Sequence, residues 1–385
     1  MMIKGEPRGR RALLRAKVLL LLLFLISPAV LSHRIHGSRY SRFLLIETYV
    51  FENRGEDPIP LSRMDRAVNL FQNNSWQTVR LVNTSHPIEE YFNDSDGNPY
   101  AFLSIPERID GGENITVTIT YEILSREQEG PSLSVEEAGN LTQINVDLFS
   151  EYLSSGGTWL TEDPEIRELA EEIAGNETRV LAIVEALIQW ITEHIRYEAF
   201  EVPRYPNETL KEGRGDCDDQ SILLITLCRT LGIPAYLQVG CILSTRIKPV
   251  NRTVWDGHVR IHMENVGWHG WSVIYIPPWG WLPVDLTYAG KSVREKIEDA
   301  AVYRDYVILQ QNISRYDYVG ESRRSWRWIK NSTLYVTIDE RAIILPEERT
   351  VSFPWQLLPP LLIGSTLILV LLYLRRRAYI DREAF

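Results

Sequence analysis

Two apolar segments near the ends of this 385-residue chain constrain its fold more than any other feature. Residues 18–31 follow a basic start and are interrupted by Ser27-Pro28, the pattern of a secretory signal or signal anchor. Residues 355–374 form an apolar run of about 20 residues, the length of a membrane-spanning helix. We therefore predict a signal peptide or signal anchor over 1–33 and a transmembrane helix over 355–374.

Charge predicts the orientation of this chain. Arg375, Arg376 and Arg377 follow the second apolar run directly, so the positive-inside rule makes 375–385 a cytoplasmic tail. A buried core helix is the alternative, but such a helix needs no arginines at its exit. The net charge is −10 although both ends are basic, so the body is acidic and nucleic-acid binding is excluded. The sequence thus predicts a cell-membrane protein that contacts the lipid bilayer and whose body lies outside the cytoplasm.

Glycosylation sequons support this topology. Ten Asn-x-Ser/Thr motifs occur, more than chance would give, and all lie between the two apolar segments. They predict N-glycosylation at Asn73, Asn83, Asn93, Asn114, Asn140, Asn176, Asn207, Asn251, Asn312 and Asn331. N-glycosylation takes place on the far side of a membrane, so the confinement of the motifs agrees with an exported body.

The first part of the body has the pattern of β-structure. Apolar residues alternate with polar ones over 115–123, the period of a half-buried strand, and turn-rich stretches such as 93–99 separate such segments. We predict an antiparallel β-sandwich over 38–127, followed by a linker over 128–162.

After the linker the hydrophobic period becomes helical. Asp163-Pro164 predicts a helix start, apolar residues at helical spacing predict a helix over 180–195, and a further helix is predicted over 216–231. Strands are predicted at 235–242, 257–263, 267–276, 281–285 and 334–338. Helices followed by antiparallel strands predict an α+β core domain over 163–290, with a C-terminal extension over 291–350.

Cys217 is a candidate nucleophile because it lies at the predicted start of a helix, within Gly213-Arg214-Gly215-Asp216-Cys217. Unpaired backbone N–H groups and the positive end of the helix dipole favour a thiolate there and can stabilise an oxyanion. The neighbouring aspartates are interpreted as helix caps. Cys228 and Cys241 form a disulfide in one interpretation and are two buried thiols in the other.

A cysteine nucleophile needs a base and a group that orients the base. His269 and Asp285 are the candidates, on two strands of one predicted hairpin, whereas His258 and His262 are competing histidines. Side chains alternate faces along a strand, so His269 and Asp285 share a face only if the hairpin has an odd register or a bulge. A three-residue loop over 278–280 gives the odd register and pairs Asp285 with Val273. Either arrangement predicts the Asp285 carboxylate within hydrogen-bonding reach of the His269 ring.

These blocks together resemble the transglutaminase-like superfamily. The resemblance covers residues 163–290 and rests on Gly-x-Gly-x-Cys-x-Asp at Cys217, His-x-Trp at His269 and Gly-Trp-x-Pro-x-Asp-x-Thr at Asp285. It implies a papain-like α+β fold, with Cys217 as nucleophile, His269 as general base and acid, and Asp285 as orienting group. It also implies that a β-sandwich before the core is familiar in membrane-attached prokaryotic members.

The sequence therefore predicts a cysteine enzyme that cleaves or transfers at amide bonds of a peptide or protein substrate. Trp271, Trp279 and Trp281 are candidate substrate-binding residues, with core packing as their alternative. A non-catalytic surface binding module is the second hypothesis. Divalent-cation binding by Asp216, Asp218 and Asp219 is a third hypothesis, but the glycine and the terminal glutamate of a calcium loop are missing. No metal and no cofactor are therefore predicted.

Overall fold

The structure is a computed structural model that describes residues 39–349. Its strands are β1 (Arg39–Asn53), β2 (Ile59–Pro60), β3 (Ala67–Asn69), β4 (Gln77–Thr84), β5 (Ile88–Asn93), β6 (Pro99–Leu103), β7 (Arg108–Ile109), β8 (Asn114–Ser125), β9 (Arg196–Tyr197), β10 (Arg214–Gly215), β11 (Ala235–Leu243), β12 (Val250–Val254), β13 (Val259–Glu264), β14 (Val266–Ile276), β15 (Gly280–Val284), β16 (Val307–Ile313) and β17 (Leu334–Arg349). Its helices are α1 (Pro164–Ala174), α2 (Val180–His194), α3 (Pro206–Glu212), α4 (Cys217–Thr230), α5 (Glu295–Ala301) and α6 (Tyr318–Lys330).

The predicted membrane segments, 1–33 and 355–374, lie outside the described residues, as does the predicted tail over 375–385. Within 39–349, no helix is long and apolar enough to cross a bilayer.

A six-stranded sheet with the order β12-β13-β17-β1-β8-β4 contains the N-terminal strands. The alternation predicted for 115–123 is confirmed, because the apolar side chains of β8 are buried. The self-contained β-sandwich over 38–127 is not confirmed, because β12, β13 and β17 come from the second half of the chain. The physical reason is that β-alternation shows which face of a strand is buried but not which strand pairs with it.

The buried face of this sheet is covered from two sources. A three-stranded sheet in the order β3-β6-β5 supplies residues such as Leu103, whereas Cys241, Val266 and Ile308 come from the core domain. The N-terminal strands therefore share one hydrophobic cluster with the core, and residues 40–348 form one compact unit. The N-terminal strands and the core therefore bury their apolar surfaces against each other and are not two separately packed domains.

Residues 128–162 also pack into the body, although the sequence predicts them as a linker. Leu133, Ile144 and Trp159 are buried in the second hydrophobic cluster, and the Trp159 indole donates to the Ser314 carbonyl at 2.7 Å. This stretch has few regular hydrogen bonds of its own, so its burial leaves no periodic pattern in the sequence.

The second half of the unit is an α+β core. Its antiparallel sheet has the order β15-β14-β11-β16, and α4 packs against β14 and β11. The predicted helix starts at Asp163-Pro164 and Val180 are confirmed, as are the predicted strands. Helix α4 is buried along nearly its whole length among α1, α2, α3 and the sheet. This burial holds the first turn of α4, where Cys217 lies, in one position relative to the sheet.

The first and last described strands, β1 and β17, are neighbours in the six-stranded sheet. Arg54 N–H donates to the Thr333 carbonyl at 2.9 Å, while farther along Glu47 lies beside Glu340. The two strands therefore run in opposite directions, and the start of β1 lies near the end of β17. Glu47 and Glu340 are both buried, and Glu340 accepts a 2.7 Å hydrogen bond from the Trp268 indole.

Candidate active site

The start of α4 is built by local sequence. Helix α3 ends at Gly213 in the left-handed conformation (φ 63°), and Asp216 caps α4 in a reciprocal capping box with Asp219. A Cβ at Gly215 would lie 2.7 Å from the Asp219 Cβ, so a glycine is required at this approach. Cys217 is thus the first residue of the helix, as predicted.

The thiol of Cys217 faces strand β14. The backbone N–H of Gly270 donates to the Cys217 sulfur, the thiol is partly exposed, and a Cβ at Gly270 would lie 3.0 Å from the Asp218 Cβ. The absence of a side chain at Gly270 therefore lets the helix start approach the strand.

His269 precedes Gly270 and contacts Asp285. The His269 Nε2 atom lies 2.7 Å from Asp285 Oδ2, and both side chains are buried. Asp285 Oδ1 also accepts from the backbone N–H groups of Thr287 at 3.0 Å and Tyr288 at 2.9 Å. Burial alone would raise the pKa of Asp285, but the charge and hydrogen bond of His269 and these N–H groups outweigh burial and lower the pKa.

The register of the β14–β15 hairpin explains this contact and corrects the predicted pairing. The loop has three residues, as the odd register requires, but Ile276 pairs with Gly280, so the loop is 277–279 rather than 278–280. Continuing the ladder, Asp285 faces Trp271 instead of Val273. Parity is preserved, so His269 and Asp285 share a face, and the gap along the strand is two residues rather than four. The predicted contact is confirmed without a bulge.

Two cavities meet at His269. The nucleophile cavity, about 260 Å³, contains Cys217, His269 and Gly270 and is walled by Phe200 and Tyr318. The aromatic cavity, about 300 Å³, contains His269, Asp285, Trp271 and Tyr288. His269 lines both cavities, whereas Gly270 lines the nucleophile cavity and Trp271, which shares a strand face with His269, lines the aromatic cavity. A substrate spanning both cavities would pass Cys217 and His269 in turn.

Comparison with known proteins identifies the domain that holds this geometry. Residues 167–286 match the transglutaminase-like superfamily. This core is transglutaminase-like. No curated protein sequence matches the chain.

Two solved structures are similar to this chain. A candidate cysteine protease from Cytophaga hutchinsonii is 15% identical, with 81% of this chain and 93% of that chain covered and a TM-score of 0.52. The periplasmic domain of TgpA from Pseudomonas aeruginosa is also similar, at 15% identity, 66% and 89% coverage and a TM-score of 0.31. The first of these likenesses shows a shared fold for the transglutaminase-like core and its flanking strands.

An acidic pair flanks the thiol of the transglutaminase-like core. The Asp216 and Asp218 carboxyls are hydrogen-bonded to each other, and Tyr318 O–H donates to Asp218 Oδ2 at 2.8 Å. Burial, and then the neighbouring Asp216, raise the pKa of Asp218 well above its ordinary value. Burial and the neighbouring carboxylate therefore favour the protonated form of Asp218. Tyr318 follows Cys217 by about a hundred residues, and no sequence signal connects them.

The same carboxyls are the donors that the cation hypothesis requires. Ligand atoms of Asp216, Cys217 and Asp218 lie within 4.8 Å of one another. The third predicted donor, Asp219, is engaged elsewhere, since its carboxylate accepts from the backbone N–H groups of Arg204 at 2.7 Å and Asp216 at 3.2 Å. The set of three aspartates proposed from sequence is therefore not assembled.

The predicted substrate-binding tryptophans separate into two groups. Trp271 lines the aromatic cavity, with its ring centroid 5.8 Å from that of His269. Trp279 packs on the hydrophobic core, and Trp281 packs among Tyr275 and other aromatic rings. For Trp279 and Trp281 the core-packing alternative is correct. Trp268, in the same strand as Trp271, lines the nucleophile cavity.

The competing histidines lie in the six-stranded sheet region rather than at the thiol. His258 Nδ1 lies 2.9 Å from the Leu334 carbonyl oxygen, and His262 forms an exposed 2.8 Å pair with Asp339. Cys228 and Cys241 are buried free thiols in separate hydrophobic clusters, so the disulfide interpretation is wrong.

The sequons differ in accessibility. Eight of the ten asparagines are exposed, namely Asn73, Asn83, Asn93, Asn114, Asn140, Asn176, Asn251 and Asn331. Asn207 and Asn312 are partly buried, and their Nδ2 groups donate to Asp163 at 3.3 Å and Gln72 at 3.1 Å. A glycan attached to either amide would displace these hydrogen bonds, so these two positions suit glycosylation least.

Proposed function

We propose that the chain is a membrane-anchored, extracytoplasmic cysteine enzyme that cleaves or transfers at amide bonds through an acyl-enzyme on Cys217. The observation that carries the proposal is the 2.7 Å contact of His269 with Asp285, together with the cavity that His269 shares with Cys217. Each of the three side chains then has one role. Cys217 is the nucleophile, His269 the general base and acid, and Asp285 the group that orients the imidazole.

The hydrogen bonds assign the two ring nitrogens. Nε2 of His269 faces Asp285, so Nδ1 is the nitrogen that exchanges a proton with the thiol. As the sulfur attacks the carbonyl carbon, His269 takes the thiol proton and the carbonyl oxygen gains negative charge. Backbone N–H groups at the start of α4 stabilise that charge. His269 then protonates the departing amine, and water or a second amine releases the acyl group from the sulfur.

The electrostatics of the thiol require this base. Burial, and then the nearby Asp218 and Asp216 carboxyls, raise the pKa of Cys217, while the Gly270 N–H opposes the rise. The thiol therefore stays protonated in the resting enzyme, and its proton leaves only as His269 accepts it. A protonated Asp218 repels the developing thiolate less than an ionised one, and burial favours that protonated form.

The location belongs to the same proposal. The apolar segments at 18–31 and 355–374 and the arginines after the second one support anchoring with an external body. The exposure of eight sequon asparagines is compatible with glycosylation on that side.

The test is covalent labelling of the full-length protein with an activated ester of benzyloxycarbonyl-glycine, followed by mass measurement. We expect one acyl group on the native protein and none on Cys217→Ala. Cys228→Ser and Cys241→Ser are the matched controls and should label normally, because both thiols are buried. Equal labelling of Cys217→Ala and the native protein would refute the proposal.

The raised pKa of the Cys217 thiol favours a second candidate, a non-catalytic surface binding module on the transglutaminase-like scaffold. This candidate predicts no acylation by the ester and no release of acyl groups. Acylation that turns over in the native protein and stops in His269→Ala would exclude it.

A further inference from the structure

The aromatic cavity has no role yet in the proposed reaction. It is lined by His269 and Asp285, and His269 is the one lining residue that it shares with the nucleophile cavity. In the proposed mechanism the acyl group stays on Cys217, whereas the amine leaves past His269. The aromatic cavity is therefore placed to receive the amine side of the substrate.

The walls of this cavity are mainly aromatic faces. The side chains of Trp271, Tyr288, Tyr303 and Tyr306 line it. The Trp271 indole N–H and the Tyr303 hydroxyl both donate to Gln238 Oε1 at 2.8 Å. Their polar ends are therefore occupied, so these two residues contribute their rings to the cavity wall, and aromatic rings attract a cation.

The charges at the cavity point to the same ligand. Asp299 lines it and makes no hydrogen bond or ion pair with any other residue of 39–349. Arg304 also lines it, but its guanidinium pairs with Glu127 at 3.0 Å. An acidic side chain would face the unpaired Asp299 carboxylate, whereas a basic one would gain both this charge and the aromatic faces.

We infer that the aromatic cavity is the amine-side subsite and that it selects a substrate with a lysine or arginine side chain directly after the cleaved amide bond. This inference rests on the proposed function, because it needs an acyl group on Cys217. By microscopic reversibility, an amine that attacks the acyl-enzyme occupies the same subsite as the amine that leaves. The α-amine then forms the new amide bond, the carbon–sulfur bond breaks, and His269 passes the amine proton to the sulfur.

Acyl transfer from the p-nitrophenyl ester of benzyloxycarbonyl-glycine tests the inference with the full-length protein. Lysinamide and norleucinamide are compared as acceptors at equal concentrations of free α-amine. The two amines differ only in the terminal ammonium group of the side chain, which lysinamide has and norleucinamide lacks. We expect lysinamide to capture the acyl group about 10-fold more efficiently than norleucinamide, which is a modest effect for a cation between aromatic faces and a carboxylate.

Two variants should reduce this preference, and one should not. Asp299→Asn removes the charge, and Tyr288→Leu removes an aromatic face at an exposed side chain, so each should bring the ratio towards 1. Glu298→Gln is the matched control on the same helix. Its side chain accepts from Leu133 N–H at 2.9 Å, which an amide oxygen can also do, so the 10-fold preference should remain.

The possible failures are distinguishable. Acylation with equal capture of both amines, or a preference that survives in Asp299→Asn, would overturn the inference and leave the proposed function intact. Failure of the ester to acylate Cys217 would overturn the proposed function and the inference together.

Discussion

The buried Glu340 carboxyl makes the stability of this protein depend on pH. Burial, and then the charge of Asp339, raise the pKa of Glu340 from its ordinary 4.5 to about 7, although the hydrogen bond from Trp268 opposes the rise. Glu340→Gln keeps an oxygen that can accept from the Trp268 indole and removes the ionisable group. The expected gain in stability therefore depends on pH.

The sign and size follow from the two protonation states. The unfolded chain releases the Glu340 proton near pH 4.5, whereas the folded protein keeps it until about pH 7. The contribution of Glu340 to stability is therefore fully present below pH 4.5 and is lost as pH rises to about 7. A difference of about 2.5 pH units corresponds to about 3 kcal/mol. Relative to the native protein, Glu340→Gln should gain about 3 kcal/mol between pH 4.5 and pH 8.

Urea unfolding of the full-length protein, followed by tryptophan fluorescence at pH 4.5 and pH 8, measures this gain. Glu264→Gln is the control, because Glu264 is an exposed carboxylate paired with Arg341 on the neighbouring strand. The control should follow the native pH dependence. If Glu340→Gln changes the free energy of unfolding equally at both pH values, Glu340 does not titrate on unfolding and the reasoning is wrong.

Three further predictions concern activity, packing and topology. Asp285→Asn should lower the rate of acyl transfer about 1,000-fold or more, because the imidazole loses its orienting carboxylate; activity within 10-fold of the native rate would contradict this. Gly240→Ala should lower the free energy of unfolding, measured in urea, by more than about 3 kcal/mol, because the added Cβ would lie 2.0 Å from a carbonyl oxygen of β16. Gly267→Ala is the control, since its Cβ would meet only a flexible side chain and should be tolerated. Protease added to intact cells should remove 34–354 and spare the tail after Arg375; digestion of the tail alone would refute the topology.

The parts of the site that the sequence predicts are those fixed by local rules. Asp216 caps a helix and glycines precede it, so the position of Cys217 at a helix start follows from neighbouring residues. Strand parity leaves two outcomes, because a four-residue loop over 277–280 would place His269 and Asp285 on opposite faces, whereas a three-residue loop places them on one face. The contact that a triad needs selects the second. Their exact pairing does not follow, because a three-residue loop over 277–279 and one over 278–280 satisfy the same parity.

The parts that the sequence does not predict depend on distant pairing. Apolar alternation identifies the buried face of β8, but nothing local indicates that β17, about 200 residues later, completes its sheet. Tyr318 is similar, because it reaches Asp218 only after the chain has formed β16 and turned into α6. The irregular stretch 128–162 has no period that would indicate its burial.

The neighbouring positions of β1 and β17 make residues 40–348 a portable unit. Because these strands run in opposite directions side by side, the chain enters and leaves the folded body at adjacent points. A unit of this kind can replace a surface loop of a host protein, or be circularly permuted by a short peptide across the two ends.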